Sequence, residues 1–148
     1  MAPSTTTLDP LAKAVREFNG WRFYECHETL ENVWREAGGK SAVAAAEAGF
    51  YHGLIKLAAG FHHLLRGNDH GAVTLLADGV RLLSPYAPTR HGIDVAGLLE
   101  ETHVCLDRLR DLGPGRLDAF DRGLIPRLRW VENGEAVNNG SWTGDSGQ

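Results

Sequence analysis

The stretch from Ser41 to Arg66, SAVAAAEAGFYHGLIKLAAGFHHLLR, constrains the rest of the chain most strongly. Phe50, Leu54, Leu57, Phe61 and Leu64 recur at three- and four-residue steps, the period of a helix buried along one face. A second stripe carries Gly49, His52, Lys56, Gly60 and His63, where the small residues would let a neighbouring backbone come close. Glu47, His52 and Lys56 interrupt the stretch, and a membrane span needs about 20 mostly apolar residues. Such a helix must be covered by other elements. No alternating strand pattern occurs in the chain, so the covering elements are expected to be helices.

The flanking segments supply them. Asp9 suits a helix N-cap, Pro10 the first helical position and Gly20 the far end, with Leu11, Val15 and Phe18 at helical spacing. A second helix is expected from about Trp21 to Glu36, stopped by Gly38 and Gly39, with Ser41 as N-cap of the helix that follows. It gathers Phe23, Cys26, Leu30, Val33 and Trp34 into one arc; His27 falls inside the arc and Glu31 on its border. The turn GNDHGA leads to a fourth helix ending at Ser84, and Pro85 and Pro88 interrupt the chain before Asp94 caps a fifth. GRLDAF and IPRLRWV read as short helices, the second starting at Pro126. The expected architecture is all-α: an antiparallel bundle of about five helices plus short C-terminal helices over residues 8–131. A flexible N-terminus (1–7) and a disordered, Gly- and Asn-rich tail (132–148) flank it.

With 148 residues the chain is one domain's worth and long enough for a real core. Its net charge of −4 and pI near 5.9 argue against a nucleic-acid surface. Cys26 and Cys105 lack metal-type pairing, and no basic and apolar leader pattern opens the sequence, so a reduced cytoplasmic setting is expected. The segment AAGFHHLLRGNDHGAVTLLADGVRLLSPYAP resembles one tetratricopeptide hairpin, although stacked repeats normally need about three. A hairpin with a groove offers a platform for a peptide or for a second copy of the chain.

HETLE, residues 27 to 31, differs at one position from the zinc-peptidase pattern His-Glu-x-x-His. His27 and Glu31 keep the one-turn spacing of two ligands, with Glu28 in the general-base position. His52 and His63 are three turns apart, roughly 16 Å, so only one of them could join an ion. The expected metal set is His27, Glu31 and His63, holding zinc or iron. Glu100 and His103 have the spacing of di-iron bundles but lack a second pair. The competing reading is a partly buried polar network, its carboxylates paired with Arg22, Arg35, Lys56 or a helix end. On that reading Trp21, Trp34 and Phe61 are core or groove lining, and Cys26 is a small buried hydrophobe.

Three segments, FNGWRFYECHETLENVW, GLIKLAAGFHHLLRGNDHGA and YAPTRHGIDVAGL, together resemble the domain of unknown function 309 family over roughly residues 18–98. The resemblance implies a compact helical bundle and assigns no activity. The residues that carry it are Glu25, His27, Glu28, Glu31 and Trp34, then Gly53, His63, Gly67, Asn68 and Gly71. His52 and Lys56 stand where members often have glutamine. The expected function is a ligand- or partner-binding module centred on helix two, using Glu25, His27, Glu28, Glu31, His52, Lys56 and His63. The alternative is a metal-dependent hydrolase with His27 and Glu31 as ligands and Glu28 as base.

Overall fold

The computed structural model describes residues 9–36, 42–132 and 135–137. Five helices carry the fold: α1 (Pro10–Asn19), α2 (Phe23–Glu36), α3 (Ala42–Leu65), α4 (Asp69–Leu83) and α5 (Val95–Leu112). α3 is the central element, packed between α2 and α4; α1 closes on α2, and α5 on α4. Phe50, Leu54, Leu57, Phe61 and Leu64 are all buried, as their spacing requires. The helical-bundle expectation holds for the bulk of the chain. None of the helices among the described residues is long and apolar enough to cross a membrane.

The helix starts follow side-chain chemistry. Asp9 accepts from the Ala12 amide at 3.3 Å, with Pro10 next to it in the first turn. Asn68 accepts from Gly71 at 2.9 Å, and Asp94 from Gly97 at 2.9 Å. α1 ends at its C-cap Gly20, as expected. The left-handed residue is Trp21 (φ 62), not Gly20. The Trp21 amide bonds the Phe18 carbonyl and the Arg22 amide bonds that of Glu17, a Schellman turn closed by a tryptophan. α2 therefore starts at Phe23 and not at Trp21.

α3 and α4 approach closely because their seam is lined with glycine. A Cβ on Gly53 would lie 2.6 Å from Leu83, and one on Gly60 would lie 2.8 Å from Leu76. On the facing helix, a Cβ on Gly79 would lie 2.6 Å from Leu57 and 3.1 Å from the Gly53 carbonyl oxygen. Gly49 and Gly60 of the expected small-residue stripe share this role: a Cβ on Gly49 would strike the Tyr86 hydroxyl.

The expectation that no strand occurs is wrong. Four short antiparallel strands, β1 (Thr89–Arg90), β2 (Ile93–Asp94), β3 (Trp130–Glu132) and β4 (Glu135–Val137), pair in the order β1-β2-β3-β4. IPRLRWV is accordingly extended rather than helical. Its backbone is held from outside: the Asn19 amide group donates to the Leu128 carbonyl at 3.0 Å, and Asn19 Oδ1 accepts from the Leu128 amide at 2.7 Å. The Val131 amide donates to Gly92, and the Asp94 amide to Arg129. These bonds give the segment's polar groups partners that an isolated short helix would lack. GRLDAF does contain a turn of 3-10 helix, Leu117–Ala119. The expected tail overlaps this sheet at 132 and 135–137. Its remaining residues, the 1–7 segment, Gly38, Gly39 and Ser41 lie outside the described residues.

The glycine seam yields a stability prediction. Gly79→Ala gains helix propensity of about 1 kcal/mol but forces a methyl against backbone. A net loss of about 1–2 kcal/mol in urea denaturation is expected.

Candidate functional site

Three phenylalanines fix how α2 meets its neighbours. Phe18 of α1, Phe23 of α2 and Phe61 of α3 meet with ring centroids 5.1, 5.5 and 5.9 Å apart. All three are essentially fully buried. With Phe23, Cys26 and Leu30 turned inward, the helical period leaves Tyr24 and His27 at the edge of the α2–α3 seam. On α3, burying Phe61 brings the next two residues, His62 and His63, to that same edge. The Tyr24 ring is 5.8 Å from His62 and 6.5 Å from His27, and His62 is 5.8 Å from His63. Together with Ala59 these four side chains line a cleft of about 180 Å³.

The electrostatics of the cleft come from its rim. The Glu28 carboxylate accepts from the Tyr24 phenol and holds its pKa above the usual value; the charges of Glu28, Glu25 and Glu31 add to this. Burial pushes the pKa of His62 below its ordinary value, and Arg66, His63 and His27 push in the same direction against Glu25. His63 Nδ1 faces the Asn68 amide nitrogen at 3.2 Å. Since Asn68 Oδ1 caps α4, its NH₂ must donate, which leaves the neutral His63 ring protonated on Nε2. His27 Nε2 lies 3.9 Å from Glu31 Oε2, and its Nδ1 is buried without a partner among the described residues. A proton on Nδ1 would have no acceptor, so the neutral ring carries it on Nε2, toward Glu31.

The sequence-derived site residues divide into two groups. Glu25, His27, Glu28, Glu31 and His63 surround the cleft; His52 and Lys56 lie toward the other end of α3. There His52 packs on Trp34 with centroids 5.6 Å apart, its pKa lowered by burial and then by Lys56. Lys56 Nζ is 3.4 Å from Asp78 of α4, which Arg81 also engages. The expected anion-binding lysine is thus paired. Among the described residues no three His, Cys, Asp or Glu side chains gather closely enough to hold a metal ion. His27, Glu31 and His63 therefore do not form the expected ligand set, and Glu28 is engaged by Tyr24. Of the expected polar network, the described residues show a long His27–Glu31 pair and one imidazole nitrogen without a partner among them. Glu100 and His103 are both exposed on α5.

Sequence reasoning passed over Tyr24 and His62. Tyr24 is one turn before His27, a spacing that puts both on one face. His62 and His63, adjacent in sequence, are both half-buried in the cleft wall. Glu17 was also passed over: it is buried, with Oε2 held by Lys13 at 2.7 Å and Oε1 unpartnered among the described residues. Cys26, as expected, is a buried hydrophobe whose thiol donates to the Ala14 carbonyl at 3.4 Å. Burial, then the charge of Glu17, raises its pKa.

A second polar cluster anchors the α4–α5 loop. Glu47 of α3 accepts from Arg90 at 2.7 Å and from His91 Nε2. His91, at φ 51, stacks on Tyr51, and the Arg90 guanidinium lies 5.1 Å from the Tyr86 ring centre. His91, then Arg90, holds the Glu47 pKa below the usual carboxylate value.

Residues 11–75 match the family described as Domain of unknown function (DUF309). The match covers less than half of the chain, and over that segment the chain is similar to this family. The matched segment runs from α1 into α4 and contains every residue lining the cleft. The uncharacterized protein YpuF of Bacillus subtilis (strain 168) is 36% identical over 87 residues, covering 57% of this chain and 47% of that protein. The chain therefore spans about half the length of this relative. Several residues that carry the resemblance have visible architectural roles: Gly53 permits the α3–α4 approach, Gly67 (φ 84) turns the chain, and Asn68 with Gly71 starts α4.

Two predictions follow the geometry. His27→Ala should cost about 1 kcal/mol or less in urea denaturation, below the 1–3 kcal/mol of a buried group robbed of its partner. Because the folded pKa of Glu47 is depressed, its stabilisation is present above the unfolded value near 4.3 and lost as pH falls through the folded one. Glu47→Gln should thus lower stability by roughly 0.5–1 kcal/mol at pH 6, discounted for its partial exposure. Urea midpoints measured across pH should show the difference vanishing toward pH 3.

Proposed function

We propose that the chain is a binding module whose recognition site is the α2–α3 cleft lined by Tyr24, His27, Ala59, His62 and His63. The observation that carries this reading is Tyr24, an aromatic ring left 54% exposed beside three imidazoles around an open concavity. Aromatic walls with a few orienting polar groups are what small-molecule and side-chain sites are made of. The volume of about 180 Å³ is below the roughly 300–1,000 Å³ of drug-sized pockets. It therefore suits a head group or a single side chain.

Side-chain chemistry favours binding over covalent catalysis. A thiol nucleophile needs a lowered pKa. Both thiols are instead buried and their pKa values raised, that of Cys105 to about 12. Glu28, the residue in the general-base position, holds the Tyr24 phenol.

A fragment screen read by two-dimensional amide NMR on the full chain tests the proposal. Ligand-induced shifts are expected to cluster at residues 24, 27, 59, 62 and 63, and to disappear in Tyr24→Leu. Shifts centred elsewhere, or hits unaffected by Tyr24→Leu, would refute it.

A further inference from the structure

The charge pattern around the cleft specifies the ligand class, on the reading that the cleft is the binding site. Five residues line it, and none is lysine, arginine or a carboxylate. The formal charges that act on its rings come from outside. Glu25, Glu28 and Glu31 act on Tyr24, while Glu25 and Arg66 act on His62. Three carboxylates against one guanidinium leave the rim net negative. The cleft itself presents π faces, and His62 is held toward its neutral form by burial.

A negative rim above uncharged aromatic walls is hostile to an anion, which would meet carboxylates and π faces together. It offers a neutral apolar ligand little beyond the small apolar area of Ala59 and the ring edges. A cation gains twice. The Tyr24 ring attracts it through its quadrupole, more strongly where water is partly excluded. The carboxylates attract it through space at distances where screening in physiological salt is incomplete. A metal ion would feel the same attractions but needs converging lone pairs as well, and no three-ligand group gathers among the described residues.

We propose that the cleft binds a small organic cation, an alkylammonium or guanidinium head group. The source is either a free amine or the end of a basic side chain in a peptide. Both present the same chemistry: a compact positive charge with several N–H donors on an apolar stem. Tyr24 supplies the ring under the charge, and the Glu25–Glu28–Glu31 edge of α2 supplies the counter-charge. Such an arrangement explains why Tyr24 stays exposed, and why three carboxylates cluster on α2 where, among the described residues, the long His27–Glu31 approach and the Glu28–Tyr24 bond engage them.

Titration of the full chain, labelled at histidine and tyrosine, with size-matched probes tests this. The probes are n-butylammonium, ethylguanidinium, neutral 1-pentanol, pentanoate, and a blocked Gly-Arg-Gly peptide. Saturable shifts at Tyr24, His27 and His62 are expected with the cations at concentrations at least tenfold below those needed for pentanol or pentanoate. Glu28→Gln should weaken the cations at least threefold while leaving the thermal midpoint unchanged, since Glu28 is exposed. Peptide binding tighter than ethylguanidinium assigns the site to a basic side chain, and equal binding assigns it to a free amine. Pentanol or pentanoate saturating the same signals as readily as the cations would overturn the cation class while leaving the cleft as a site. The same holds if fragments bind there and no cation does. Failure of the fragments as well would remove the site itself.

Discussion

Everything that defines the cleft depends on the meeting of Phe18, Phe23 and Phe61. Edge-to-face rings add about 0.5–1.5 kcal/mol beyond the burial of their large apolar area, and they favour one mutual orientation. Two of the three pairs here are nearly perpendicular, with interplanar angles of 88°. The contact therefore fixes α2 in rotation as well as in distance. Given that rotation, the 3.6-residue period decides which residues of both helices reach the seam edge. Tyr24 and His27 on α2, and Ala59, His62 and His63 on α3, follow from it. Lys13 reinforces the arrangement from α1 by bonding both Glu17 and Thr29, the latter on α2.

The same geometry keeps the near-zinc motif from gaining a third candidate ligand among the described residues. The spacing of His27 and Glu31 satisfies a local rule of helices, but coordination is a tertiary property. It needs a third ligand delivered by another element at the correct height. α3 delivers His63, yet the Asn68 cap at the start of α4 already holds one nitrogen of that ring. It delivers His62 against Tyr24. What converges is a set of aromatic faces, and the carboxylates of α2 remain at the rim as a field. The proposed recognition by charge and π face rests on this arrangement.

Much of the fold was legible because α-helices are specified locally. The Phe50–Leu64 stripe, the Asp9–Pro10 start and the Asp94 cap are short-range signals, and each is realised. The misses are places where a distant partner decides. Pro126, Leu128 and Trp130 alternate with Arg127 and Arg129, a two-residue period too short to stand out beside a proline. Asn19, far away in sequence, turns that hint into an extended segment. Trp21 occupies a conformation usually given to glycine, so α2 starts at Phe23, two residues later than its sequence suggests. At the site, His27 and the acidic edge were readable from the motif. Tyr24 and His62 were not, because their importance comes from facing each other across two helices. Lys56 reads as a free cation in one dimension and as the partner of Asp78 in three.

Intermolecular NOEs between the full-length chain and n-butylammonium give the most direct check on this picture. The methylene protons of the probe should show cross-peaks to the Tyr24 ring and to the Ala59 methyl group in the wall of the cleft. Cross-peaks found only on another surface, such as the Lys56–Asp78 face, would contradict it.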